Sequence, residues 1–374
     1  MKLFRFILLP FSLSLLACGG KTDLGLATDE PDRPDAPPPE LITDASDAGS
    51  NLPPDAGARL AGPPEGRWRP LGSALYCEGH TATLVSGGRV LVVGSCQLVG
   101  EAVSALLYDV AADGFTVLPF PNRRDHTATP LDDGRVLLAG GRIDGTLEAS
   151  ATLFDPATNT FTAAGSLQFP RRGHTATELA DGRVLVAGGW LEELTTASVE
   201  IWSPGQGFSL SANLPQPRFQ ATATRIGTHV FVVGGGAPTV ARFDPIGDSW
   251  QDLIGWFGIE SVGTVAAIDQ KLLCVTPYEG ARLFDPADDS VAWVADGSLP
   301  HRASAPIEES WLFVGGSYYA IAPYPAFFTP DIGSFTHAGL WSNAYYDVTA
   351  TAISSTSVLV VGTASMIFSS SSED

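Results

Sequence analysis

An all-β repeat fold is what this 374-residue sequence predicts, and three observations carry the prediction. A phrase recurs, as HTATLVSGGRVLVVG from His80, HTATPLDDGRVLLAGG from His126 and HTATELADGRVLVAGG from His174. Within each copy the apolar residues alternate with period two or form branched blocks such as RVLVV, and no helical stripe of useful length appears. Aromatic pairs seven residues apart then flank a turn, as in Tyr108 and Phe115, Phe154 and Phe161, or Phe243 and Trp250. Each unit reads as a four-stranded meander whose faces stay uncovered until it stacks on the next unit.

The elements follow in order. MKLFRFILLPFSLSLLACGG carries Lys2 and Arg5, then an apolar run, then small residues, which is the pattern of a secretory signal over residues 1–17. Leu15, Leu16 and Ala17 before Cys18 resemble the lipobox of bacterial lipoproteins. That resemblance implies cleavage before Cys18, its lipidation, and a membrane partner reached through the lipid. Gly19, where an aspartate would retain a lipoprotein at the inner membrane, favours a cell-envelope location at the outer membrane of a Gram-negative bacterium. Residues 18–65 are rich in Pro, Asp, Ala and Gly and poor in aromatics, a composition that cannot offset chain entropy by burial. They are expected to be a disordered tether. The formal net charge of -20 argues against nucleic acid as a partner.

Residues 66–374 hold the repeats. His80 precedes Gly94 by fourteen residues, and the same interval separates His126 from Gly140, His174 from Gly188 and His301 from Gly315. QATATRIGTHVFVVGGG from Gln220 keeps the interval without the histidine, and weaker copies start at Ser261 and Val348, giving seven units. The Asp-Gly pairs at Asp133-Gly134 and Asp181-Gly182 predict two-residue type I′ turns between the first and second strands.

The double glycines Gly140-Gly141, Gly188-Gly189, Gly234-Gly235 and Gly315-Gly316, followed by spaced aromatics, resemble the kelch repeat over nearly all of residues 67 to 369. The resemblance implies a β-propeller similar to the central domain of galactose oxidase. The pattern departs from the family at Gly94-Ser95, Val275-Thr276 and Gly362-Thr363, so the blade number reads as seven, alternatively six. Trp68 precedes the first unit in the context of a fourth strand, while the last unit ends without that strand's aromatic. The N-terminal strand is therefore expected to close the final blade.

Cys77 and Cys96 fall nearly opposite each other across the first hairpin and are expected to form a disulfide, which suits an oxidising compartment. Cys274, in the apolar run KLLCVT, reads as a core residue. The repeated histidines invite a metal-site reading, but copies spread around a ring do not converge on one ion. They are read as structural, bonding between neighbouring blades, and no metal or cofactor is expected.

Arg124, Arg172 and Arg218 lie two residues before the first-strand motif in three successive units, on the connection that should share a face with the loops between second and third strands. Those loops carry Arg142 with Asp144, Trp190 with Glu192, and Tyr318 with Tyr319. Guanidinium forks beside aromatic faces suit a carboxylated sugar, another anionic small ligand or a protein partner. No catalytic residue is assigned, because Gly-x-Ser-x-Gly, His-Glu-x-x-His and phosphate-loop motifs are all missing from the sequence. A copper oxidase is disfavoured on the expectation that galactose oxidase takes metal ligands from a further domain, whereas this sequence stops after the last unit. The sequence reading is a binding or scaffolding module, with a carbohydrate-active propeller enzyme resembling a sialic acid epimerase as the alternative.

Overall fold

The computed structural model describes residues 66–253, 264–276, 280–295, 303–307, 309–314, 325–330, 334–337, 348–362 and 365–370. Two compact units divide the chain, Met1–Gly57 and Ala58–Asp374, and every described residue belongs to the second. The proposed signal, Cys18 and the tether lie outside the described residues, as do His301, Tyr318 and Tyr319.

Among the described residues all regular structure is strand, arranged as seven four-stranded antiparallel sheets with three smaller pairings. The second sheet is typical: Thr127–Pro130, Val136–Ala139, Ser150–Asp155 and Thr160–Ser166 lie side by side in that order. The first sheet has longer strands, Leu75–Val85 and Arg89–Leu98 among them. The seventh is assembled from both ends of the described chain. Gly66–Pro70 pairs with Met366–Ser370, with Trp68 opposite Phe368, so the N-terminal strand completes the last sheet, as the placing of Trp68 predicted.

Period-two patterning explains the packing, since each sheet turns one set of side chains to each neighbour. Leu137 and Leu153 of the second sheet meet Val184, Val186 and Trp202 of the third, while Val136, Leu138 and Phe154 meet Leu91 and Leu107 of the first. One such cluster lies between each successive pair of sheets, and another joins Leu359 and Ile367 of the seventh to Val90 and Leu106 of the first. The fold is propeller-like.

The turns explain the conserved spacing within the chain. In the third-to-fourth strand turns, Asp109, Asp155, Asp244 and Asp285 each accept a backbone N–H two residues on through Oδ1, at 2.8 to 3.0 Å. That Asx turn brings the aromatics into register, so that Phe154 faces Phe161 with ring centroids 4.9 Å apart. The Asp-Gly turns differ from expectation. Leu131 N donates to Arg135 O at 2.8 Å, and in the Asp133-Gly134 pair only Gly134 has positive φ, +85°. The turn therefore spans three residues with glycine in the left-handed position, not the two-residue type I′ form. In that form the residue before the glycine lies outside the left-handed region, and the Asp133 carboxylate accepts from the backbone N and the Nε of Arg135, at 3.0 and 2.9 Å.

Candidate functional site

The connections that enter each first strand define the candidate face. Gly79, Asp125, Gly173 and Gln220 all adopt φ of +55° to +57° and form a relay: Asp125 N donates to Gly79 O, Gly173 N to Asp125 O, and Gln220 N to Gly173 O, at 2.8 to 3.2 Å. These four residues are equivalent. The strand registers agree, because Thr81, Thr127, Thr175 and Thr222 take the same place opposite Val93, Ala139, Ala187 and Val233.

That equivalence corrects the alignment drawn from the sequence by one residue. The position of His80, His126 and His174 is filled in the fourth sheet by Ala221, not Gln220. In the sixth sheet Ala303, opposite Val314, takes the place of Thr81, Thr127 and Thr175. The histidines bond between sheets: His126 Nε2 lies 3.0 Å from Thr81 Oγ1, His174 Nε2 3.0 Å from Thr127 Oγ1, and His80 Nε2 3.1 Å from Thr349 Oγ1. Burial, reinforced by the charge of Arg123 or Arg171, pushes His126 and His174 down to about 3, so both are neutral.

The same shift separates Arg218 from Arg124 and Arg172. Arg218 belongs with Arg123 and Arg171, three residues before the histidine position, and all three are buried. Arg123 Nη1 donates to Gly140 O and Ser150 O, Arg171 Nη1 to Gly188 O and Ser198 O, and Arg218 Nη1 to Gly234 O, at 2.7 to 2.9 Å. Burial pushes Arg218 down to about 10. Arg218 is thus an internal strap rather than a ligand contact. The fourth-sheet equivalent of Arg124 and Arg172 is Phe219. The double glycines make room for these connections: a Cβ on Gly188 would sit 2.6 Å from Arg218 O, and one on Gly141 2.4 Å from Arg124 O.

What remains at the face is a row of neighbours. Arg124 Nη1 stands 3.9 Å from Glu78 Oε2, and Arg172 Nη1 stands 4.0 Å from Asp125 Oδ2. The Arg172 guanidinium lies 5.0 Å from the Phe219 ring and 5.9 Å from the Trp190 ring, and the two rings meet edge-on at 5.6 Å. The loops between second and third strands fold over this row as small hairpins. Arg142 pairs with Arg124 through the backbone, and Trp190 bridges to Arg172. Asp144 and Gly145, at the tip of the first hairpin, both have positive φ, so an Asp-Gly type I′ turn does occur, but here. The structure therefore gathers Arg124, Arg142, Arg172 and Trp190, adds Glu78, Asp125 and Phe219, and removes Arg218. Phe219 was missed because its equivalence is visible only through the strand register.

Cys77 and Cys96 are bonded, with Cα atoms 4.1 Å apart, and Cys274 is a buried thiol.

No family model matches the chain, and no curated protein matches it. Among solved structures it resembles a fungal alcohol oxidase of the AA5 family, in complex with copper, with a TM-score of 0.66 and 16% identity over 82% of this chain and 76% of that one. That likeness concerns the fold. Among the described residues no three His, Cys, Asp or Glu side chains approach closely enough to hold a metal, and each of His80, His126 and His174 uses Nε2 on a neighbouring threonine. The described donors do not fit a copper centre.

Proposed function

We propose that the second unit is a seven-bladed kelch-type propeller whose Arg124–Arg172–Trp190 face binds an acidic carbohydrate or a similar small anion. The observation that carries this reading is the setting of Arg172. Its guanidinium is held by two aromatic rings, while its carboxylate partner stands at the outer limit of an ion pair. A guanidinium fixed by stacking retains its fork for a planar carboxylate, and the half-buried aromatic rings beside it leave an apolar edge that suits a sugar ring. Glu78 and Asp125 add acceptors for hydroxyl groups. The test is a thermal-shift and calorimetric comparison of N-acetylneuraminate and galacturonate with their uncharged counterparts. Binding that ignores the carboxylate overturns the reading.

A carbohydrate-active enzyme is the second reading, favoured by the fold shared with the AA5 oxidase. It requires turnover of the bound sugar by the purified protein, lost with Arg172→Ala.

The body is proposed to be displayed from the cell envelope, at the outer membrane, by lipid on Cys18. Leu15, Leu16, Ala17 and Cys18 support this by their lipobox pattern. Cys18→Ser should abolish palmitate labelling in cells, and persistent labelling rejects the anchor.

A further inference from the structure

We infer that a second site on this face, between the Phe169-Pro170 connection and the hairpin tip Leu191 to Leu194, receives a basic, apolar peptide segment of a partner protein. The groove has a volume of about 450 Å³ and is lined by Phe169, Pro170, Leu191, Glu192, Glu193 and Leu194. Its apolar side chains are open to solvent: Phe169 retains 40% exposure and Leu194 67%. Large apolar side chains around one depression mark an interaction site, whereas scattered ones do not.

Charge selects the occupant. Glu192 and Glu193 are both exposed at the groove, and among the described residues no cation lines it. Arg171, the adjoining arginine in sequence, is fully buried and its Nη2 is 2.7 Å from Glu200 Oε1. An anionic ligand meets only carboxylates here, while a segment placing Lys or Arg beside Leu, Ile or Phe satisfies both the rim and the floor. The site is thereby opposite in preference to the arginine row.

Both walls are fixed. Glu200 accepts from Gln168 N at 2.7 Å and Phe169 N at 3.4 Å as well as from Arg171, and so pins the connection that carries Phe169. In strand register the Glu200 position is Thr152 in the second sheet and Ala241 in the fourth, so this carboxylate serves the third sheet specifically. A buried ion pair contributes little net stability relative to apolar packing, and its service here is to place the wall. On the other side, Glu192 adopts φ of +33° and its carbonyl accepts the Trp190 indole N–H at 3.0 Å, which holds the tip.

Fluorescence polarisation with a labelled peptide of alternating Leu and Lys, titrated with the full-length protein, tests the inference. Leu194→Asp, and separately the double variant Glu192→Lys with Glu193→Lys, should weaken binding at least about tenfold. Glu101→Lys with Asp132→Lys makes the same charge change at exposed positions elsewhere and should leave affinity within about twofold. A Leu–Glu peptide should not bind. Equal weakening by the Glu101/Asp132 pair, or Leu194→Asp without effect, would show general attraction to an acidic protein and overturn the site. Unchanged melting temperatures establish that the variants are folded, and sugar binding by the arginine row is read independently of all these arms.

Discussion

Cys77 holds the place in the first sheet that Arg123 holds in the second, three residues before the buried histidine. Arg123 ties its connection to the carbonyls of Gly140 and Ser150, whereas Cys77 ties the equivalent connection covalently to Cys96. A disulfide replaces a guanidinium strap. The loop it closes spans 19 residues, which in the chain-entropy account corresponds to about 3 kcal/mol. Cys77→Ser with Cys96→Ser should therefore lower unfolding free energy by about 2–4 kcal/mol in denaturant titration. Equal stability with and without the bond would show that the first connection is secured by something else.

The buried histidines predict a pH dependence with a definite sign. His126 and His174 are held at about 3 by burial, below the value near 6.5 of an unfolded histidine. Between those limits the unfolded chain binds the proton and the folded one does not. Their stabilising contribution is thus complete above about pH 6.5 and declines as the pH falls toward 3, by up to about 1.4 kcal/mol per pH unit for each. Denaturant midpoints at pH 7.5 and 4.5 should differ less in His126→Gln than in the parent protein. A difference unchanged by the substitution would assign the acid sensitivity to other groups.

The seventh sheet is completed by the strand Gly66–Pro70, which pairs along its whole length with Met366–Ser370 and places Trp68 edge-on to Phe368 at 5.2 Å. Deleting residues 66–70 leaves an unpaired sheet edge and uncovers an aromatic, so the body should aggregate or lose its single unfolding transition. Calorimetry of the deletion variant decides it, and an unchanged transition would mean that the seventh sheet needs only three strands.

Much of this was legible in the sequence because strand periodicity, paired aromatics and glycines are local signals. The closing Trp68 and the Cys77–Cys96 pair were readable for the same reason, each lying at a fixed place relative to a strand. The register of the fourth unit was not. Its first hairpin turns through two residues, with Ile226 opposite His229, where the second unit uses three between Leu131 and Arg135. Counting fourteen residues back from Gly234 then lands on Gln220 instead of Ala221. That single step made Arg218 look like a partner of Arg124 and Arg172 and hid Phe219. The fixed interval had been read from the glycines, but hydrogen-bonded register sets the equivalence.

The corrected register separates two kinds of arginine by experiment. Arg172, partly exposed and stacked on aromatic rings, should lose binding energy of about 1.5 to 3 kcal/mol for an acidic sugar when replaced by Ala, equivalent to roughly 10- to 150-fold in affinity, with a small change in melting temperature. Arg218 donates to Gly234 O and to both oxygens of Thr239 from a fully buried position. Arg218→Ala leaves those buried carbonyls without their donor, at about 1 to 3 kcal/mol for each unsatisfied group. It should lower the melting temperature by several degrees while any remaining folded protein binds sugar as the parent does. Arg171→Ala should be costlier, because it also strands the buried Glu200 carboxylate, and removing one partner of such a pair costs about 3–5 kcal/mol. If Arg218→Ala instead abolished binding at unchanged stability, its side chain would have to reach the face, and the one-residue correction would be wrong.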